Sequence, residues 1–487
     1  MCGGAITGMS SIATEYELQR QFSDSQCSVV LCCASNLSRV LEAAKSCTNI
    51  KAIIVITDET SNGRRVCAPR VSGQVLYYWS DAVIEQPSVW SLETPEIMQD
   101  IAIMPYSSGT TGRSKGVMIS HQNLATATSV LFSHVDKQVF ARTIKDWSWK
   151  DDRTIAMLPF YHIYGCCMML LSLFAGSTTI TVRRFSSETF CKNIQHHKIR
   201  FLTVVPTLLT FLAKSPDVRS YDLTSVSVIV CGAAPAGKEL IDAVFKRHPN
   251  IRYIMQGYGM TEVTAASHLP VPEQPIGSSG KLAPDFQMKI VNIDDGTECD
   301  VNEPGEIQLR SPTVMVGYFN RPSETAQIIT EDGWLCTGDV GYVDENGFLF
   351  IVDRMKELIK VSGFQVAPAE LEDILLKHPA ISEVAVVGVP DQTGGELPKA
   401  FIVTRDGTQI SEQEINDFMK DKVSHYKYLR GGVSFLSELP KSPVGKILRR
   451  RLRDENHLNQ QCTSEVYNVD SRPIPDGSKE EEGKLGN

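Results

Sequence analysis

The chain has 487 residues, room for two or three hydrophobic cores, since a single core rarely grows beyond about 250–300 residues. Hydrophobic residues make up 42%, charged residues 22%, and the formal net charge is -9, which fits a soluble globular protein and argues against a nucleic-acid surface. The 13 cysteines form no paired CxxC arrangement, so neither a zinc finger nor a disulfide scaffold is indicated, and free thiols in a reducing compartment are expected.

Taken in order, Thr14–Phe22 reads as a short helix, without the basic start and apolar core of a signal peptide. Ala52–Thr57 reads as a buried strand. The most apolar stretch, Ile155–Ala175, is interrupted by Pro159, His162 and Gly165 and is no candidate membrane span. Phe201–Val205 and Val226–Val230 read as strands, with helices starting at Pro206–Leu212 and Ala236–Phe245; this alternation predicts α/β layers with parallel pairing. From Gly305 the texture changes to short strands, Glu306–Leu309 and Gly347–Val352, with a turn at Asp344-Glu345-Asn346-Gly347. After Arg354 a smaller α+β unit is expected: a helix over Pro368–Leu376 with proline in its first turn, strands Val384–Val389 and Ala400–Thr404, and a capping box of Ser411 and Glu414 opening another helix. The basic run Arg449–Arg453 reads as a solvated helix end. These divisions give a large domain over 1–353, a small one over 354–456 and a polar, disordered tail over 457–487.

Several segments carry residues suited to chemistry. Tyr106-Ser107-Ser108-Gly109-Thr110-Thr111-Gly112-Arg113-Ser114-Lys115-Gly116 follows an apolar strand; its small residues, hydroxyls and lysine suit a phosphate cradle, although an ordinary Gly/Ser turn reads almost as well. It does not match the Walker A pattern. His162, in Leu158-Pro159-Phe160-Tyr161-His162-Ile163-Tyr164-Gly165, is either a satisfied pocket residue or a ligand contact. Gln256-Gly257-Tyr258-Gly259-Met260-Thr261-Glu262 combines a stackable ring with a carboxylate that could hold hydrated magnesium, or is a plain strand-end turn. Cys231-Gly232-Ala233-Ala234-Pro235 lacks large side chains and would let a flat ring approach the backbone. Asp339 in Thr337-Gly338-Asp339 could accept from ribose hydroxyls. Lys446, in Pro440-Lys441-Ser442-Pro443-Val444-Gly445-Lys446, sits on a constrained loop and could neutralise a phosphate or carboxylate in transfer; a flexible surface lysine is the plainer reading.

In this order and spacing the segments resemble the adenylate-forming superfamily of acyl-CoA synthetases, luciferases and peptide-synthetase adenylation domains, in its 4-coumarate:CoA ligase-like branch. DRMKELIKVSGFQVAPAELE, beginning at Asp353, and PKSPVGKILRR complete the set. Two positions depart from the branch: Ser114 stands where proline usually precedes the lysine, and Ser362 where a lysine often precedes Gly363. The resemblance implies ATP, Mg2+ and CoA as cofactors and a small-molecule carboxylic acid as substrate. It assigns Ser107, Thr110, Thr111 and Lys115 to the ATP phosphates, and places His162 by the acyl group. Gly232, Ala233, Ala234, Pro235, Gln256 and Tyr258 fall to the adenine pocket, Thr261 to the α-phosphate and Glu262 to magnesium. Asp339 and Arg354 fall to the ribose, Lys446 to the adenylation step, Lys356 to the hinge of a mobile small domain, and Lys360 and Gly363 to the thiol site.

The implied activity is an acid–thiol ligase that forms acyl-AMP and then acyl-CoA. The alternatives are luciferase-like oxidation of the adenylate and a non-catalytic binding or regulatory protein. In the family a further stretch precedes the segment resembling Met1–Phe22, so the large domain reads as incomplete at its start, with apolar surface exposed there. The expected compartment is the cytoplasm; the family adds the peroxisome, but the chain ends KLGN and not SKL. A monomer or weak homo-oligomer is expected.

Overall fold

The computed structural model describes residues 4–56, 75–79, 100–107, 114–183, 185–355, 357–361, 364–391, 396–420, 422–423, 425–441, 447–449 and 451–453. It divides into two compact units, one up to Lys356 and one from Glu357 onward.

The first unit opens with the helix Glu15–Ser25. Thr14 caps it, its hydroxyl accepting from Glu17 N while the Glu17 carboxylate accepts from Thr14 N, and Leu18 and Phe22, one turn apart, form its buried face. That face packs on a parallel three-stranded sheet in which Ala52–Ile56 lies between Val29–Cys33 and Val75–Tyr78. Alternate residues of this sheet point the other way and stay exposed: Val29 and Leu31 by 52% and 54%, Tyr77 by 46%.

A second parallel sheet has Val228–Cys231 at its centre, flanked by Phe201–Val204 and Tyr253–Gln256. Its apolar residues alternate between two buried clusters: Val228 joins one and Ile229 the other, so both faces are covered and the strand is a continuous apolar run. The helix Pro206–Lys214 starts with proline at its first turn, where the missing N–H costs nothing. The apolar stretch around His162 becomes the 12-residue helix Ile163–Phe174. No described helix is long and apolar enough to cross a membrane.

Beyond residue 286 the pattern is antiparallel: Gln287–Val291, Gly305–Arg310, Leu335–Val343 and Leu349–Arg354 pair in that order. Ile307 and Leu309 alternate inward along their strand. Asp344 closes the turn before the last strand, its carboxylate accepting from Asn346 N and Phe348 N.

In the second unit Ile381–Pro390 and Glu396–Thr404 pair antiparallel, with Val433–Phe435 parallel beside them. The helices Pro368–Leu375 and Glu412–Lys420 contribute Leu371, Leu375, Ile415 and Met419 to its core. Ser411 and Glu414 form the capping box read from the sequence. Within the basic run Arg451 is exposed, as its reading as a solvated end expects, but Arg449 departs from it. Arg449 is mostly buried, its guanidinium 2.6–2.7 Å from both oxygens of Glu372 and 3.1 Å from Glu357. The described cysteines are free thiols, and those at 32, 47, 167, 191 and 231 are buried while Cys33 is exposed.

Candidate active site

The site residues of the first unit gather from four segments. The strand Lys115–Ser120 lies between Ile101–Ile103 and Gly317–Tyr318, and Tyr106–Ser107 folds back on its start so that Ser107 stands directly opposite Lys115. Both ends of the phosphate-loop segment are thereby fixed side by side. Thr110 and Thr111 lie outside the described residues.

Ser107 donates its hydroxyl to Glu262 Oε1 at 2.9 Å, and the Tyr318 hydroxyl donates to the same oxygen at 2.9 Å. Glu262 is only 4% exposed; it sits in the short 3-10 turn Thr261–Val263, whose backbone is tied down where Met315 N donates to the Glu262 carbonyl. Burial and the neighbouring Glu262 carboxylate together push the Tyr318 phenol far above its ordinary range, so it stays a donor. A single hard carboxylate with its second oxygen turned from both hydroxyls suits magnesium, whose remaining ligands are normally phosphates and water. Among the described residues no cluster of three or more His, Cys, Asp or Glu gathers as a metal cage.

The loop Gly232–Pro235 leaves the C-terminal end of the central parallel strand. Ala233 holds a left-handed φ of 71°, a conformation that costs a non-glycine residue about 1–2 kcal/mol and that clusters at functional loops. Gly232 is required: a Cβ there would lie 2.9 Å from the Tyr164 ring, which packs over the loop. Tyr164 is set by the first turn of the helix Ile163–Phe174, where His162 is the N-cap and its Nδ1 accepts from Tyr164 N at 3.2 Å. Gln256 faces the same loop, but its amide spans Ala236, accepting from its N–H at 2.7 Å and donating to its carbonyl at 3.2 Å. It holds the loop's exit in place. An apolar cavity beside Gly165, Met168 and Phe201 is not lined by His162, Tyr164, Gln256 or the Gly232–Pro235 loop.

Tyr258 links this region to the antiparallel sheet. Its buried hydroxyl donates to Asp339 Oδ2 at 2.7 Å, and Arg354 Nε lies 3.1 Å from Asp339 Oδ1. Asp339 and Arg354 are cross-strand partners, so their proximity follows from sheet register. Asp339 is further steadied by Thr337, whose hydroxyl accepts from Asp339 N at 3.1 Å. Burial, then the Asp339 charge, hold the Tyr258 phenol protonated. The ring that the sequence offered as a stacking surface is 9% exposed and works as much through its hydroxyl.

Lys356, Gly363 and Lys446 lie outside the described residues, and Lys360 is described only as backbone in the strand Ile359–Val361, opposite Gln365. Sequence reading missed Tyr318. It acts on Glu262, 56 residues away and brought close only by the fold, and no local pattern marks it.

With this geometry in hand, comparison with known proteins is decisive. The family model described as AMP-binding enzyme matches residues 1–319, and the AMP-binding enzyme C-terminal domain matches 370–446. The chain belongs to the AMP-binding enzyme family. Within it, the chain is 44% identical over 361 residues to 4-coumarate:CoA ligase 1 of Petunia hybrida, a match covering 73% of this chain and 65% of the ligase. It is 38% identical to luciferin 4-monooxygenase of Photinus pyralis, covering 93% of this chain and 80% of that protein. The chain thus spans just under two thirds of the petunia ligase and four fifths of the firefly protein. Among solved structures, ATP-bound MatB from Rhodopseudomonas palustris aligns with a TM-score of 0.77 at 25% identity, covering 93% of this chain and 84% of that one. The α/β architecture described above is thus shared with that structure.

Proposed function

We propose that the chain is an ATP-dependent acid–thiol ligase: it joins a small-molecule carboxylic acid to AMP with release of pyrophosphate, then passes the acyl group to the thiol of CoA. The observation that carries this reading is the hydrogen bond from Ser107, at the mouth of the phosphate-loop segment, to buried Glu262, 155 residues away. It joins the phosphate-binding turn of this reading to a buried carboxylate suited to magnesium.

A carboxylate is a poor electrophile, so its oxygen attacks the α-phosphorus of ATP and pyrophosphate departs, leaving a mixed anhydride that a thiol can attack with AMP as leaving group. Ser107 and Lys115 bind and orient the phosphate oxygens, and Lys115 offsets charge on the departing pyrophosphate. Thr261 meets the α-phosphate. Magnesium bound through Glu262 would withdraw charge from the phosphate oxygens. The Gly232–Pro235 turn and Tyr258 receive the adenine, Asp339 accepts from the ribose hydroxyls with Arg354 beside it, and His162 borders the acyl group. These steps need no nucleophilic side chain.

Relatives named 4-coumarate:CoA ligase support the thioester step. Relatives named luciferin 4-monooxygenase support a second reading, oxidation of the acyl-adenylate. Acid-dependent pyrophosphate release, run with and without CoA over aromatic and medium- to long-chain acids, separates the two: CoA-dependent acyl-CoA is expected, and pyrophosphate release with no thioester for any acid would overturn the ligase reading. The exposed Cys33 and the other free thiols suit a reducing, cytoplasmic setting, and a monomer or weak homo-oligomer without nucleic-acid partners completes the proposal.

A further inference from the structure

Lys115 has a counter-charge that none of the motifs assigns. Its Nζ lies 2.6 Å from Glu324 Oε2 and 4.7 Å from the centre of the Tyr318 ring, with the lysine side chain 8% exposed. Glu324 belongs to the short helix Pro322–Ala326, which follows the strand Gly317–Tyr318, itself paired with the strand that Lys115 begins. The Lys115 side chain, by hydrogen bond and by charge, holds the Glu324 carboxyl below its ordinary range.

Glu324 is itself held. Arg321 Nε lies 3.8 Å from Glu324 Oε1, while Arg321 Nη2 donates to Asp24 Oδ1 at 2.7 Å. The other Asp24 oxygen accepts from the Tyr106 hydroxyl at 2.7 Å. Tyr106 immediately precedes Ser107. One line of charges, from Tyr106 through Asp24, Arg321 and Glu324 to Lys115, therefore ties the entry of the phosphate-loop segment to its exit.

We propose that Glu324 is a positioning residue for triphosphate binding, holding the Lys115 ammonium over Tyr318 so that its remaining N–H donors face the phosphates. The proposal rests on the reading of Lys115 as an ATP-phosphate ligand. A lysine on a flexible stem loses rotamer freedom when it binds; one already held by a carboxylate and a ring has little left to lose. Three N–H donors on one ammonium allow Glu324 and a phosphate to be bound together.

Calorimetric titration of the full chain with MgATP and with adenosine tests this. Glu324→Ala is expected to weaken MgATP binding by about tenfold, the scale of one charge-assisted hydrogen bond, and to leave adenosine binding unchanged. The double variant should then lose little more than Lys115→Ala alone, because Glu324 acts only through Lys115. Glu324→Gln, which keeps an acceptor of the same shape, should recover part of the loss, and it carries the test if Glu324→Ala does not fold. Unchanged MgATP affinity in both Glu324 variants, equal losses for adenosine, or losses that multiply in the double variant would each overturn the positioning role alone. A wild-type chain that binds adenosine no less tightly than MgATP would instead overturn the assignment of Lys115 to the phosphates, and the proposal with it.

Discussion

Asp339 receives Tyr258 on one oxygen and Arg354 on the other, so its carboxylate is oriented before any ribose arrives. Removing it altogether would strand the Tyr258 hydroxyl in the core, whereas asparagine keeps the shape and an acceptor. Asp339→Asn is therefore expected to fold and to weaken ATP binding by about tenfold to a hundredfold, corresponding to about 1.5–3 kcal/mol for a charged hydrogen bond. Acid binding should change far less; equal affinity for ATP in the variant, measured by calorimetry, would count against the ribose role. His268 shows the opposite use of burial. It is fully buried, its Nδ1 lies 3.1 Å from the Ser267 hydroxyl, and among the described residues Nε2 has no hydrogen-bond partner. Burial lowers its pKa to about 3, against about 6.5 for an unfolded histidine. Between those values the unfolded chain binds the extra proton, so the stability associated with neutral His268 is full above about pH 6.5 and is lost as pH falls toward about 3. His268→Leu should flatten the decline of the urea midpoint between pH 7.5 and 5, and an unaltered slope would show that other groups set it.

Among elements, the sheet formed by Val29–Cys33, Ala52–Ile56 and Val75–Tyr78 combines a pattern normal for a parallel sheet, apolar on both faces, with cover on one face only among the described residues. Val29, Leu31, Ile56, Val75, Tyr77 and Trp79 are each at least 38% exposed. An apolar patch of this kind favours association. The apparent molar mass from light scattering should rise with concentration, and Leu31→Gln with Tyr77→Gln should reduce that rise without altering nucleotide affinity; an apparent mass that stays at the monomer value in the unmodified chain would refute this. In the second unit Arg449 fastens the segment near residue 447 to the helix Pro368–Leu375 through Glu372, whose Oε1 also accepts from Val386 N. Arg449→Ala removes a cation shared by two largely buried carboxylates, a loss of about 3–5 kcal/mol by analogy with other broken buried pairs. Hydrogen exchange should accelerate across the second unit and not the first. Uniform protection in the variant would mean that the pair contributes little.

For the whole molecule, the two matched family segments fall in separate compact units, and the chemistry proposed above has two half-reactions. Lys446 stands at the end of the second matched segment. Lys446→Ala is expected to slow adenylate formation by at least about a hundredfold, the scale of a lost electrostatic contact to a transition state, while preformed acyl-adenylate still reacts with CoA. Quenched-flow measurement of each half-reaction checks this, and equal losses in both would remove Lys446 from its assigned step.

The sequence by itself determined whatever depends on neighbours within about one turn of chain. Ser411 with Glu414 and the Asp344 turn are legible because both partners lie within four residues and their spacing sets the geometry. The apolar runs at Phe201 and Val228 announce buried parallel strands for the same reason: composition alone says that both faces must be covered. The run at Ala52 reads the same way, yet its sheet is covered on one face only among the described residues. Motif order then identified the family and nominated Ser107, Glu262, Tyr258 and Asp339. What the tertiary structure decided is which of these groups meet and in what state. The Ser107–Glu262 bond spans 155 residues and the Tyr258–Asp339 bond 81, while Arg449, indistinguishable in sequence from the exposed Arg451, is held by a glutamate 77 residues away. Such pairs depend on strand register and on burial, which removes competing water and raises the strength of each charge, and neither quantity is a property of local sequence.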